Sequence, residues 1–177
     1  MSIEIKLITR DDQADINIKN EPFKLYGMMK PSYIGGAWSY EVELVPENEI
    51  SEMTFPDENY SFDAMSKEHI FVGAYDGAKC VGLAILRHSW NRYLYLYDLK
   101  VNSAVRGQGV GKRLIEASAE IARKHGYRGI STQAQDNNLA ACFFYIKTGF
   151  VIGGIDTLVY NGTKQEGKSD ILFYRDN

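Results

Sequence analysis

The chain has 177 residues, of which 45% are hydrophobic and 24% are charged. This length suits one domain with a sizeable core, and the composition excludes wholesale disorder. The formal net charge is only -3, which argues against a general nucleic-acid binder, because such proteins carry a basic excess. The longest apolar runs are far shorter than a membrane span. We therefore expect no nucleic-acid or membrane partner, while the weakly acidic balance is compatible with a cationic substrate.

The two cysteines, Cys80 and Cys142, lie far apart and form no CxxC or Cys/His spacing. The sequence thus predicts no metal site, and we expect two reduced, buried thiols in a cytoplasmic protein. The first residues, MSIEIKLITRDD, lack a long apolar stretch and soon become acidic. This is not the pattern of a signal peptide.

The first third of the chain gives weak secondary-structure signals. SIEIKLI alternates polar and apolar residues, which predicts a strand, and Thr9 is a potential N-cap for a short helix after it. EPFKLYGMMKPSYIGG carries two prolines and three glycines and is interpreted as a loop. AWSYEVELV fits either a strand or an amphipathic helix. Residues 46–68 are acidic, and we expect a surface loop with short helical pieces.

The remainder of the chain is clearer. Residues 69–90 predict a hairpin around Asp76-Gly77, and residues 92–101 predict an adjacent strand. Apolar residues at helical spacing after residue 109 predict a helix that Gly126 ends. A strand over residues 127–135, a helix over 137–150 and a closing strand pair complete the order. The sequence therefore predicts a mixed sheet with helices packed on it.

A glycine-rich segment, RGQGVGK, separates the strand ending near Val101 from the helix that follows. The first N–H groups of a helix are unpaired and its dipole favours an anion there. Gly107, Gly109 and Gly111 permit close approach and positive φ angles, while Arg106 and Lys112 add positive charge. The P-loop and GxGxxG patterns both fail here, whereas [RQ]xxGx[GA] fits. The segment therefore predicts a phosphate or pyrophosphate site.

Two ordered motifs resemble those of the GNAT N-acetyltransferases. Arg106-Gly107-Gln108-Gly109-Val110-Gly111 resembles the loop that holds the acetyl-CoA pyrophosphate in that family, with Lys112 beside it. The second motif consists of matched positions in the predicted helix after residue 137, namely Asn138, Ala141, Phe144, Tyr145, Lys147, Gly149 and Phe150. The resemblance implies acetyl-CoA as cosubstrate. It also implies a single domain over residues 1–177 with an α/β (α+β) fold, in which helices flank a GNAT-like mixed, mostly antiparallel central β-sheet.

Four further stretches are most similar to the streptothricin acetyltransferases within that family: EPFKLYGMMKPSY, SWNRYLYLYDLKV, QAQDNNLAACFFY and GFVIGGIDTLVY. This resemblance implies N-acetylation of the β-lysine amino group of the antibiotic, hence resistance to it, and is compatible with a homodimer. Two alternatives stay open. The acceptor is a different amine, such as a peptide N-terminus, lysine or a polyamine, or the chain is a non-catalytic acyl-CoA-binding module.

The resemblance also assigns roles near the thioester. The backbone of Leu99, Lys100 and Val101 would bind the pantetheine and the acetyl carbonyl, and Asn138 would contact the coenzyme A arm. Tyr145 would protonate the departing thiolate, which its ordinary pKa near 10 permits. The alternative for Tyr145 is a core aromatic residue within CFFY.

Asp98 is the candidate base, or it attracts a cationic substrate; the alternative is an exposed strand carboxylate paired with Lys or Arg. A bound water in place of a side-chain base is a further alternative, if desolvation partly deprotonates the amine. The acceptor pocket would use aromatic and acidic side chains. The candidates are Trp38, Tyr40, Glu41, Glu43 and Trp90. In the alternative, both tryptophans are core residues and the acids form a solvated face.

Overall fold

The computed structural model describes residues 2–177. Its strands are β1 Ile3–Leu7, β2 Phe23–Leu25, β3 Gly27–Ile34, β4 Ala37–Leu44, β5 Ser51–Met53, β6 His69–Asp76, β7 Lys79–Arg87, β8 Tyr93–Val101, β9 Gly129–Gln135, β10 Val151–Asp156 and β11 Asp170–Asp176. The α-helices are α1 Phe62–Met65, α2 Val110–Lys124 and α3 Leu139–Lys147. Three short 3-10 helices span Arg10–Asn17, Glu47–Glu49 and Ser103–Val105. The predicted α/β fold, with helices beside a large, mostly antiparallel sheet, is confirmed.

The chain forms two compact units, and the first comprises residues up to Glu21, Phe55–Ile130 and Asp176–Asn177. Here β1, β6, β7 and β8 pair in that order as antiparallel neighbours. The predicted turn at Asp76-Gly77 joins β6 to β7, with Gly77 at φ +60°. Helix α2 packs on β6, β7 and β8. Its buried face is formed by Val110, Leu114, Ile115, Ser118 and Ala122.

A bulge interrupts β8 near its middle. Ile85 of β7 faces Asp98, but the next residue of β7, Leu86, faces Leu96. Tyr97 is therefore the extra residue of β8. A bulge breaks the strict alternation of side chains and re-aims its neighbours. The bulge immediately precedes Asp98 and so determines the direction of that side chain.

The second unit comprises Pro22–Thr54 and Ser131–Arg175. It contains the antiparallel pairs β2–β5, β3–β4 and β10–β11 together with most of β9 and the helix α3. Asn138 caps α3, because its Oδ1 accepts a hydrogen bond from the Ala141 amide at 3.3 Å. The core of this unit contains Met29, Leu139, Cys142, Tyr145 and Phe173.

The prediction of a loop over residues 21–36 was wrong. This segment forms β2 and β3, and β3 pairs with β4 along its whole length. Gly35 and Gly36 form the two-residue turn, with φ angles of +61° and +82°, as a tight hairpin requires. Pro31 is accommodated in β3 because the hairpin has only two strands, so an edge is always available for a residue without an N–H group.

Candidate active site

The glycine-rich segment forms the turn between the 3-10 helix Ser103–Val105 and α2. Gly107 and Gly109 have φ angles of +75° and +81°, and Gly109 is the N-cap of α2 without a side-chain capping bond. A side chain at either glycine would meet no atom within 4 Å. Both positions are therefore glycine for their backbone conformation and not for lack of space.

Several backbone amides of this turn lack an acceptor. The first hydrogen bond of α2 runs from Arg113 N to Gly109 O at 3.0 Å. The amides of Gly107 and of residues 109–112 make no hydrogen bond within residues 2–177. They lie at the positive end of a 15-residue helix. Unpaired donors at a helix N-terminus form a site for an anion such as a phosphate group.

Basic side chains flank the same turn. Lys112 and Arg113 are exposed on the first turn of α2. Arg106 is also exposed, and its Nε donates to the Val101 carbonyl at 3.0 Å, which fixes the side chain against the end of β8. The predicted set from Arg106 to Lys112 is thus brought together at one place, next to the end of the strand that contains Leu99, Lys100 and Val101.

Asp98 on β8 is neither exposed nor unpaired. Its Oδ2 accepts a hydrogen bond from the Tyr60 hydroxyl at 3.1 Å and lies 3.4 Å from Lys100 Nζ. Burial raises the pKa of Asp98, the Lys100 ammonium opposes that rise, and the nearby Glu58 carboxylate adds to it. The alternative of an exposed carboxylate paired with Lys or Arg is therefore correct about the pairing and wrong about the exposure, because the side chains of Lys100 and Asp98 are only 7% and 16% exposed.

Lys100 is the basic residue of this cluster. Its side chain is only 7% exposed, and it bonds to the Glu58 carboxylate as well as lying beside Asp98. A third contact joins Nζ to the Ile18 carbonyl at 3.3 Å. The sequence singled out Lys100 for its backbone alone and missed Glu58 and Tyr60. No spacing signal connects them, because Glu58 is 42 residues from Lys100.

In the second unit, Tyr145 lies on α3 within a cluster of aromatic rings. Its ring centroid is 5.3 Å from that of Phe150 and 5.4 Å from that of Phe173, and the residue is 7% exposed. The ring therefore contributes to the core, as the alternative interpretation expected, and is held in one position. A fixed ring is equally suitable for a proton donor, so core packing does not decide between the two interpretations. The role of the Tyr145 hydroxyl stays a prediction.

The acceptor candidates of the second unit lie on opposite faces of the β3–β4 hairpin. Trp38 and Tyr40 share a face, where Trp38 packs on Tyr33 at 5.1 Å and Tyr40 contacts the edge of Phe143 at 6.5 Å. Glu41 and Glu43 point to the other face, opposite Lys30 and Met28. Trp38 is half-buried, and Tyr40, Glu41 and Glu43 are exposed. The hairpin thus presents the aromatic residues together and the acids separately.

Trp90 lies in the first unit, in the turn before β8, and is 97% exposed. It borders an open depression of about 390 Å³ with Glu68, Arg87, His88 and Ser89. The expectation that both tryptophans are core residues is wrong for Trp90. Since β8 has nine residues and a strand rises about 3.3 Å per residue, Trp90 and the glycine turn lie at opposite ends of the strand.

A second buried polar cluster, missed by sequence reasoning, lies in the second unit. Asp170 accepts hydrogen bonds from Tyr160 at 2.7 Å and Gln133 at 2.6 Å. Burial raises the pKa of both Asp170 and Asp136. Within residues 2–177, Asp136 Oδ1 is enclosed without a hydrogen-bond partner. The only sequence signal was the polar run QAQDNN at the junction of a strand and a helix.

No group of three or more His, Cys, Asp or Glu side chains in the described part of the chain is arranged to hold a metal ion. The cysteines are unpaired: Cys142 is buried and Cys80 is half-buried. Burial raises the pKa of the Cys80 thiol to about 11 and that of Cys142 to about 12, so both remain protonated at neutral pH. No helix within residues 2–177 has the length and apolar character needed to cross a membrane.

Comparison with known proteins adds independent findings. The model of the acetyltransferase (GNAT) family matches residues 37–150. The chain is 30% identical over 170 residues to streptothricin acetyltransferase A of Bacillus subtilis (strain 168), covering 96% of this chain and 98% of that protein.

Solved structures agree over the full length. A crystal structure of a candidate streptothricin acetyltransferase from Bacillus anthracis strain Ames, in complex with acetyl coenzyme A, is 31% identical with a TM-score of 0.86 and covers 100% of this chain and 99% of that one. A nourseothricin acetyltransferase, 24% identical with a TM-score of 0.80 and 99% coverage of both chains, shares the fold.

Proposed function

Since the chain belongs to the GNAT acetyltransferase family, we propose that it transfers the acetyl group of acetyl-CoA to an amino group of streptothricin, on its β-lysine part, and so confers resistance to that antibiotic. One observation carries this proposal. The likeness to a streptothricin acetyltransferase extends over 96% of this chain, including the N-terminal segments that lie outside the glycine turn and the α3 motif. A shared cosubstrate loop alone would support only the reaction class.

The glycine turn fits the diphosphate of acetyl-CoA. Its unpaired amides, at Gly107 and residues 109–112, offer the donors that phosphate oxygens accept. Lys112 and Arg113 add exposed positive charge, and the space around Gly107 and Gly109 is open. The backbone of Leu99, Lys100 and Val101 and the side-chain amide of Asn138 would hold the remainder of the cosubstrate. Acetyl-CoA supplies the thioester whose acetyl group is transferred.

The reaction requires two proton movements. The acceptor nitrogen forms a bond to the acetyl carbon, the carbon–sulfur bond breaks, and the nitrogen loses a proton while the thiolate gains one. Asp98 accepts the proton of the amine, since a buried carboxylate with a raised pKa is a better base than an ordinary one. Tyr145 donates a proton to the thiolate from a hydroxyl whose ring is held by packing against Phe150 and Phe173. These roles are part of the proposal.

A cationic acceptor suits the second unit. Residues 22–54 contain five glutamates and two lysines, a formal charge of -3, so this segment attracts ammonium groups. Trp38 and Tyr40 lie together on one face of the hairpin, where aromatic faces favour a cation. Glu41, on the opposite face of the hairpin, and Trp90, in the first unit, remain candidates for acceptor contacts.

The test is incubation of the protein with acetyl-CoA and streptothricin, followed by mass spectrometry of the drug and measurement of thiol release. We expect a gain of one acetyl group and one thiol for each molecule of drug. Thiol release with a peptide, lysine or polyamine but none with streptothricin would contradict the proposed substrate and leave the reaction class. Binding of coenzyme A without product from any amine would instead indicate a non-catalytic module.

A further inference from the structure

Glu58, Tyr60, Asp98 and Lys100 form a buried polar cluster in the first unit, here named the Asp98 cluster. Lys100 is buried between two carboxylates, with side-chain exposures of 31% for Glu58 and 16% for Asp98. The cluster joins β8 to the segment before α1. Asn20 extends it, because its Nδ2 donates to Glu58 Oε2 at 2.9 Å.

Burial makes such a cluster a costly way to stabilise a fold. Removing two charges from water carries a desolvation penalty that their attraction roughly repays, and well-packed apolar residues often serve as well or better. Here the Lys100 ammonium is buried and two half-buried carboxylates flank it, on a strand that otherwise places Leu94 and Leu96 in the core. The strand also contains the candidate base and leads directly to the glycine turn. A role in controlling that base explains why charged residues lie there.

The contacts divide the two oxygens of Asp98. Both Tyr60 and Lys100 approach Oδ2, at 3.1 Å and 3.4 Å. Within residues 2–177, Oδ1 makes no hydrogen bond. One oxygen is thus held by the protein, and the other is the one that can take a proton from an acceptor amine. The bulge at Tyr97 fixes the direction of the carboxylate.

We propose that Glu58, Tyr60 and Lys100 are positioning residues that hold the Asp98 carboxylate in place and set how readily it accepts the proton of the acceptor amine. This inference rests on the proposed function. Lys100 and Tyr60 favour the ionised form of Asp98, because one is a cation and the other donates a hydrogen bond. Glu58 disfavours it, because it is a second negative charge in the same cluster.

Other groups around Asp98 do not reverse these signs. On β8 the neighbouring residue is Tyr97, and on β7 the residue opposite Asp98 is Ile85, whose side chain carries no charge. Arg87 of β7 lies over the Tyr97 ring at 5.4 Å, and His69 of β6 packs on the same ring at 5.2 Å. From the N-terminal segment, the Ile18 carbonyl contacts Lys100, the Asn20 amide contacts Glu58, and the Asn17 amide exchanges two hydrogen bonds with the Tyr60 backbone. All three groups are uncharged.

The opposite signs give a sharp test, which is the pH dependence of kcat/KM for the acceptor. Lys100→Met should move the acidic limb of the profile to higher pH, and Tyr60→Phe should move it the same way to a smaller extent. Glu58→Gln should move it to lower pH. At a pH below the wild-type midpoint, kcat/KM should therefore fall severalfold for Lys100→Met and rise for Glu58→Gln. Asp98→Asn should remove the limb and most of the activity.

Matched controls lie on α2 of the same unit. Glu120→Gln and Lys124→Met remove a carboxylate and an ammonium from an exposed ion pair and should leave the profile unmoved. Lys100→Arg retains the charge and should restore the wild-type limb. Where Lys100→Met fails to fold, Glu58→Gln and Tyr60→Phe still give opposite directions. A ¹³C NMR titration of the Asp98 carboxyl carbon, which needs no substrate, should show the same opposite changes in pKa.

The positioning roles are overturned if the variants are active and the acidic limb of their pH profiles does not move. They are also overturned if the limb moves in the same direction for Lys100→Met and Glu58→Gln. Survival of the acidic limb in Asp98→Asn overturns them as well. Absence of acetyl transfer from the wild-type protein to any amine instead contradicts the proposed function. In that case the NMR titration would still show the opposite changes in the pKa of Asp98, so the two failures are distinguishable.

Discussion

Tyr145 carries the most specific chemical prediction at the scale of single residues. Tyr145→Phe keeps the ring that packs against Phe150 and Phe173 and removes only the hydroxyl. Loss of a general acid typically costs about 10²–10⁴-fold in rate, so we expect kcat to fall by about 10²-fold or more with little change in coenzyme A affinity. Steady-state kinetics and calorimetry measure the two quantities.

The matched control for this substitution is Tyr93→Phe. It removes a hydroxyl that donates to Asp176 at 2.7 Å near the end of the chain, and kcat should stay at the wild-type value. A wild-type turnover in Tyr145→Phe would leave Tyr145 as a core residue only, and the proton donor would have to be sought elsewhere.

Asp136 gives a prediction about stability and pH. Burial raises its pKa, so the folded state binds a proton more tightly than the unfolded state, and ionisation destabilises the fold as pH rises above the usual carboxyl range. Asp136→Asn removes this loss. Thermal unfolding at pH values from about 2 to about 8, a range that includes the ordinary carboxyl pKa of about 3.9, should show the variant gaining stability relative to wild type as pH rises above that value.

Asp176 is the matched comparison, because its pKa changes in the opposite direction. Hydrogen bonds from Arg128 and Tyr93 lower its pKa, so its ionised form favours folding and its contribution is lost as pH falls. Asp176→Asn should therefore be less stable than wild type above the ordinary carboxyl pKa of about 3.9, and this difference should shrink as pH falls below that value. If stability relative to wild type changed with pH in the same way for both variants, burial of the Asp136 carboxylate would carry no cost to the folded state.

At the scale of elements, the glycine turn allows a matched comparison. Gly109 and Gly77 both have positive φ angles and open space, so alanine at either should cost about 1–2 kcal/mol of stability for a left-handed conformation. Gly109→Ala should also weaken acetyl-CoA binding by about tenfold, equivalent to about 1.4 kcal/mol, because relief of the strain rotates the unpaired amides. Gly77→Ala should bind acetyl-CoA normally. Equal affinities, measured by calorimetry, would contradict the assignment of the turn.

Which elements the sequence predicted follows from the strength of local signals. Helix α2 has apolar residues at helical spacing and Gly126 at φ +75° beyond its end, and the β6–β7 hairpin has Asp76-Gly77. Both were predicted correctly. The β3–β4 hairpin was missed because Pro31 suggested a loop, although Gly35-Gly36 is a favoured turn for tight hairpins. Tertiary pairing with β4 decided the conformation there.

The candidate site also has parts that local sequence signals predict and parts that only the fold brings together. The unpaired amides of Gly107 and residues 109–112 were predictable, because a helix N-terminus and its glycines are adjacent in sequence. The Asp98 cluster was not predictable, since Glu58 and Tyr60 are about 40 residues from Asp98 and Lys100 in sequence and meet them only through the fold. The separation of Glu41 from Trp38 and Tyr40 became evident only once residues 37–44 were known to be a strand, where alternate side chains point to opposite faces.

At the scale of the whole molecule, charge is unevenly distributed. Within the net charge of -3, residues 22–54 alone contribute a formal -3, so attraction of a polycationic acceptor should depend on salt. Raising ionic strength from about 0.1 M to about 1 M shortens the Debye length from about 10 Å to about 3 Å. We expect KM for streptothricin to rise several-fold, with a smaller effect for an acceptor whose only charge is the reacting amine. Equal salt dependence in initial-rate kinetics would contradict electrostatic attraction by this segment.

The central claim is that unpaired amides at the start of α2 hold acetyl-CoA and so direct its thioester toward the acceptor. A crystal structure of this protein with acetyl-CoA tests it most directly. We predict diphosphate oxygens within hydrogen-bond distance of the amides of Gly107 and residues 109–112. Diphosphate density elsewhere on the molecule, with these amides still unpaired, would contradict the account.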